Sequence, residues 1–150
     1  FFLDDSIKNN LNIVNIGITE EKMVKACEQA GIYDKIKSMP AGFDTILGDN
    51  ATILSGGEKQ RLAIARGILK ETEIFLFDEA TSNLDSISEG IILETLMKLA
   101  KSHIVIMIAH RKSIVEKIPR ILVLDKGRII AEGNHKSLVQ DCIEYKQLFG

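Results

Sequence analysis

The chain is 150 residues long and 45% hydrophobic, enough for one compact domain with a buried core. Its 19 Lys and Arg against 21 Asp and Glu leave a formal charge of -2, so no global basic field exists to hold nucleic acid or an anionic membrane surface. The longest uninterrupted apolar run, Ile104 to Ala109, is too short to cross a bilayer, and the opening Phe-Phe-Leu meets Asp4 and Asp5 at once, which does not suit a signal peptide.

From Ser6 to about Pro40 the pattern is helical. Thr19 followed by Glu20 and Glu21 predicts a cap with an acidic first turn, and Met23, Cys27 and Ala30 recur at helical spacing. Cys27 and Cys142 lie far apart and form no metal-ligand cluster, so both are expected to be reduced structural thiols. Leu54-Ser55-Gly56-Gly57-Glu58 opens a predicted helix running through Arg61, Ala65 and Leu69. Ile74 to Phe77 and Ile104 to Ala109 read as buried strands of a parallel sheet with both faces covered. Between them, Ser86 and Glu89 predict a capping box for a helix with Ile91, Thr95 and Leu99 along one face. Asp125-Lys126-Gly127 between apolar runs predicts a hairpin over Ile121 to Glu132, and Lys136 to Leu148 reads as a final amphipathic helix. Pro40 and Pro119 sit at expected helix ends, and no repeat or low-complexity tract interrupts the chain. The fold class expected is α/β, with parallel strands, flanking helices and an α-helical subdomain.

Three places carry chemistry. A capping box accounts for Ser55 and Glu58, but not for Gly56 and Gly57, each of which disfavours a helix by about 1 kcal/mol relative to Ala. Bare backbone at a helix start lets a bulky anion approach free N–H groups, where the helix dipole also favours negative charge. The apolar run Ile74 to Phe77 ends abruptly in Asp78 and Glu79, and ligands of open parallel sheets bind beyond the carboxyl ends of the strands. Solvation of a strand end is the plain alternative. As chemistry, Asp78 suits a Mg2+ shell through water, and Glu79 suits a base that orients or deprotonates an attacking water. His110 comes just after the second strand; if the strands are neighbours, it opens into the same crevice as the two carboxylates, where an imidazole can bond a terminal phosphate oxygen. His103 and His135 lack such company and are expected on the surface.

Together these elements resemble the ATP-binding cassette of ABC proteins. Leu54 to Glu58 is similar to the signature motif, Ile74 to Glu79 to the Walker B strand with its catalytic glutamate, Ser82-Asn83-Leu84-Asp85 to the D-loop, and His110 to the switch histidine. The opening Phe2-Leu3-Asp4-Asp5-Ser6-Ile7-Lys8-Asn9-Asn10-Leu11 resembles the segment after the Q-loop in exporters, and Gly42-Phe43-Asp44-Thr45 the approach to the signature. Gly48-Asp49-Asn50-Ala51 departs from the Gly-Glu-Arg-Gly that often stands before the signature in the family. The family's phosphate loop needs a Gly-Lys pair, and none of the 11 glycines here is followed by lysine. The resemblance therefore implies a soluble carboxyl-terminal fragment of a nucleotide-binding domain, about residues 1–55 a helical subdomain region and about 56–150 the signature helix through the carboxyl-terminal part, inactive alone.

For the complete protein the resemblance implies an ATPase that powers export, with ATP and Mg2+ as cofactors and a place on the cytoplasmic face of the cell membrane. Its partners would be a second nucleotide-binding domain packed head to tail, and the transporter's own transmembrane domains. The implied roles are Glu79 and His110 in catalysis, Ser55, Gly56, Gly57, Glu58 and Asp85 at ATP, and Asp78 at Mg2+. A lobe of an SMC-type DNA-maintenance ATPase also carries a signature and a Walker B strand, but a long heptad coiled coil normally precedes it, and Phe1 to Asp49 shows none. A nucleotide-free interaction module is the other alternative.

Overall fold

The computed structural model describes residues 1–15, 17–79 and 84–150, which form two compact units, 1–107 and 108–150. In the first unit α1 (Ile7–Asn12), α2 (Glu20–Gln29) and α3 (Tyr33–Ser38) lead through short 3-10 turns at Gly42–Asp44 and Asp49–Ala51 into α4 (Gly56–Leu69). Thr19 caps α2 as its sequence predicts, its hydroxyl accepting from the Lys22 N–H at 3.4 Å. Met23, Cys27 and Ala30 are fully buried, and α2 packs on α4, whose Leu62, Ala65 and Leu69 join the same core. Burial in this apolar setting pushes the Cys27 thiol up to about 12, so it stays protonated and unreactive.

β1 (Ile74–Asp78), α5 (Ser86–Leu99) and β2 (Ile104–Ile108) come next, with the two strands paired in a parallel sheet. Phe77, Val105 and Met107 pack on the helical core, and Phe75 is buried. The expectation that both faces are covered is not met. Strand residues alternate sides, and within the first unit no described layer lies over the other face, where Ile74, Leu76, Ile104 and Ile106 are 51–69% exposed. Helix α5 also starts differently from its predicted capping box. Its cap is Asp85, whose Oδ1 accepts from the Ile87 and Ser88 N–H groups, each at 3.0 Å. A carboxylate one residue ahead of Ser86 reaches the free amides first. Ile92 lies on the buried face in place of the predicted Ile91, with Thr95 and Leu99 buried as expected.

The second unit holds α6 (Lys112–Val115), β3 (Ile121–Asp125), β4 (Arg128–Gly133), α7 (His135–Asp141) and α8 (Ile143–Phe149). The hairpin forms where Asp125-Lys126-Gly127 predicts it, antiparallel with Asp125 opposite Arg128. Lys126 (φ 46°) and Gly127 (φ 75°) both take the left-handed conformation that a two-residue hairpin loop demands. The single closing helix is instead two. Cys142 sits between them at φ -124° and ψ 113°, an extended conformation that breaks the helical path and buries its side chain beside Leu138 and Tyr145. Both cysteines are free and buried.

Two histidines expected on the surface are partly buried and partnered. His103 lies edge-on to Phe75, with ring centroids 5.3 Å apart, and its Nδ1 is 2.9 Å from the Ser102 hydroxyl. His135 Nδ1 is 3.0 Å from Tyr145 Oη, while its Nε2 lies 3.7 Å from Glu116. Aromatic edges and a hydroxyl give each ring a local partner that its sequence neighbours do not advertise. Among the described residues no helix is long and apolar enough to cross a membrane.

Candidate functional site

The start of α4 is built by its own sequence. Ser55 stands in extended conformation, and its Oγ accepts from the Glu58 N–H at 3.3 Å, while Glu58 Oε2 accepts from the Ser55 N–H at 2.8 Å. This reciprocal capping box satisfies two backbone groups, and a cap of this kind stabilises a helix by about 1 kcal/mol. The glycines have a local reason of their own. A Cβ at Gly57 would stand 3.0 Å from Ser88 Cβ and 3.2 Å from its Oγ, and one at Gly56 would stand 3.3 Å from Leu84 Cδ2. The start of α5 thus comes within touching distance of the start of α4. Bare backbone is required here by packing.

Charge is concentrated at the same place. Burial works to raise the Glu58 carboxyl, but hydrogen bonds from Ser55 and the Lys35 ammonium outweigh it and hold the group below the usual carboxylate range. Lys35 Nζ, from α3, lies 3.3 Å from Glu58 Oε1. One turn along α4, Arg61 is only 8% exposed, and its Nε and Nη1 find no hydrogen-bond partner among the described residues. Burial lowers the hold of that guanidinium on its proton, and the charges of Glu58 and Asp85 oppose the effect. Asp85 is held below its ordinary range chiefly by the Ser88 N–H, with help from Ile87. The starts of α4 and α5 therefore bring Glu58, Arg61 and Asp85 within electrostatic reach, and α3 adds Lys35 beside Glu58.

Asp78 ends β1, and Glu79 comes after it at φ 48°, a left-handed conformation unusual for a residue with a side chain. Such backbone strain costs on the order of 1–3 kcal/mol and clusters at functional sites. Glu79 is engaged by neighbouring groups. His110 stands two residues beyond β2, at the start of the second unit, and is exposed and also engaged. Of the expected D-loop, Leu84 and Asp85 are described, while Ser82 and Asn83 lie outside the described residues. Ser55, Gly56, Gly57, Glu58 and Asp85 are thus brought into one neighbourhood through α4, Leu84 and Ser88.

Lys35 and Arg61 are contributors that sequence reasoning did not single out. Arg61 was in principle visible: it shares the i, i+4, i+8 stripe with Ala65 and Leu69, which places an arginine on a buried face. Lys35 carries no such signal, because only the fold brings α3 to the start of α4.

Two separate places in the chain carry groups of the kind a Mg–triphosphate uses. The capped start of α4 offers an exposed Gly56 and free amides to an anion. Asp78, at the end of β1, would supply one carboxylate, and Mg2+ commonly takes one or two from protein while phosphates and water complete its shell. Among the described residues no group of three or more His, Cys, Asp or Glu could hold a metal alone, so phosphate would have to supply the remaining ligands.

The profile of the family described as ABC transporter matches residues 2–82. P-glycoprotein 14 of Caenorhabditis elegans is 45% identical over 137 residues, covering 91% of this chain and 10% of that protein. The alpha-hemolysin translocation ATP-binding protein HlyB of Escherichia coli O6:H1 is 43% identical over 139 residues, covering 93% of this chain and 20% of that protein. In three dimensions the chain is similar to a bacterial Atm1-family ABC exporter solved with ATP bound, at a TM-score of 0.84 and 39% identity, over 98% of this chain and 26% of that one. The chain thus spans about a tenth to a quarter of the length of these relatives. Its α/β fold is part of the P-loop NTPase core of that exporter's ATPase. With the signature-like start of α4 inside the matched region and the fold shared almost end to end, the chain belongs to the ABC transporter family.

Proposed function

We propose that this chain is the signature-bearing part of a nucleotide-binding domain that hydrolyses ATP to drive export across a membrane. The observation that carries the reading is the start of α4, where a Ser55–Glu58 capping box sets an exposed Gly56 and a buried Gly57 at a helix N-terminus. Residues to about 55 form its helical subdomain region, and about 56–150 run from the signature helix to the carboxyl-terminal part. The triphosphate cradle, for which no Gly-Lys pair exists here, is supplied by a phosphate loop outside these 150 residues. The fragment alone is then inactive.

In the complete protein, two such domains pack head to tail on the cytoplasmic face of the membrane, joined to transmembrane domains that select the substrate. Ser55, Gly56 and Gly57 of one domain face the phosphates held by the other, and Asp85 lies at the same contact. Asp78 would hold Mg2+ through water, and the ion would supply positive charge against the phosphates. Glu79 orients or deprotonates the attacking water, and His110 steadies the terminal phosphate with a ring N–H. The net charge of -2 assigns no role to nucleic acid.

The test is calorimetric titration with MgATP of the 150-residue chain beside a version extended upstream through a phosphate loop. Binding only by the extended form is the expected result. Tight binding by the 150-residue chain alone would overturn the assignment of the phosphate site.

A further inference from the structure

The fifth residue of the signature, Glu58, brings a negative charge to the place where the proposed function puts the terminal phosphate of a nucleotide. Glu58 cannot shed that charge easily, because its carboxylate accepts from the Ser55 N–H at 2.8 Å as half of the capping box. It is also well covered, its side chain only 17% exposed, so water screens it poorly. An ionised carboxylate one helical turn from an incoming triphosphate repels it. One cation is placed against the outer oxygen of that carboxylate: Lys35 Nζ from α3, 3.3 Å from Oε1. The two oxygens are thus divided, Oε2 to the cap and Oε1 to the lysine. Arg61 feels the charge of Glu58 too, but it feels Asp85 as well.

We propose that Lys35 is a positioning residue of the nucleotide site, a charge partner whose ammonium offsets Glu58 so that the signature can accept an anionic phosphate. The inference rests on the proposed function. Lys35 does not touch the nucleotide; it acts through Glu58. A glutamine at position 58 keeps the capping box, since its carbonyl oxygen accepts the same Ser55 N–H, and it removes the charge that needs a partner. The lysine therefore matters only while position 58 is ionised.

Two measurements test this. In the 150-residue chain, the carboxyl titration of Glu58 is followed by NMR with and without Lys35→Met. An upward shift is expected, and it should shrink in high salt because the lysine end of the pair is 40% exposed. In the full-length protein, Lys35→Met should raise the KM for MgATP about threefold to fivefold, the range of an exposed or half-exposed ion pair, with kcat nearly unchanged. Adding Glu58→Gln to Lys35→Met should bring KM back to that of Glu58→Gln alone. A purely structural role for Lys35 would not be cancelled by the second substitution, and a lysine that bound phosphate directly would keep its effect in the Glu58→Gln background. Either result, or an unmoved Glu58 titration, overturns the proposal. A full-length protein with no response to ATP overturns the proposed function itself, and the role of Lys35 with it; a normal response that ignores Lys35→Met overturns the role of Lys35 alone.

Discussion

Gly57 meets two separate demands, and they can be pulled apart. Its missing side chain makes room for Ser88, whose Cβ would lie 3.0 Å from an added methyl group, and the proposed function asks the same side-chain-free backbone to serve a phosphate. Gly57→Ala should destabilise the fold by about 1–3 kcal/mol through overpacking, measured by urea denaturation, and Ser88→Gly should restore most of that loss. If the double variant regains stability while the full-length protein still binds ATP poorly, the glycine serves the nucleotide as well as the packing. Glu58 makes a second residue-scale prediction. Its folded carboxyl titrates below the ordinary value of about 4.3, so its contribution to stability is present above that pH and is lost as pH falls through the lower, folded value. Glu58→Gln should therefore flatten the fall in stability below about pH 4.3, and an unchanged acid limb in pH-dependent denaturation would contradict the pairing.

Among the elements, α2, α4 and the β3–β4 hairpin were legible because each rests on local chemistry: a threonine cap with acidic neighbours, a Ser–Glu box, and a Lys-Gly turn that tolerates left-handed backbone. Where two local signals compete, the sequence is less decisive. Asp85 and Ser86 are both good caps, and the carboxylate wins α5 by reaching two amides at once. The break at Cys142 has no glycine or proline to announce it; tertiary packing of Cys142 and Tyr145 sets it. Contacts between elements were illegible for the same reason, Lys35 with Glu58 and Gly67 with Phe75 among them. A Cβ at Gly67 would lie 2.5 Å from the Phe75 ring, so α4 and β1 approach too closely there for any larger residue. Gly67→Ala should cost about 1–3 kcal/mol in denaturation, and a neutral result would mean that the α4–β1 contact is looser than these distances imply.

At the scale of the whole molecule, motif order revealed the family, whereas the layering of the sheet could not be read from the strands. Ile74, Leu76, Ile104 and Ile106 look like interior residues by composition, and a strand cannot tell from its own sequence whether a layer covers its second face. Chemistry sits at a similar boundary. The left-handed turn at Glu79 and the capped start of α4 are properties of this chain, while turnover belongs to the longer protein proposed here. The most direct test of that account is Glu79→Gln in the full-length protein, with steady-state ATP hydrolysis measured beside nucleotide binding. Turnover should fall by about 10²- to 10⁴-fold while MgATP binding is retained, the loss expected when a general base is removed. Normal turnover in that variant would contradict Glu79 as the base.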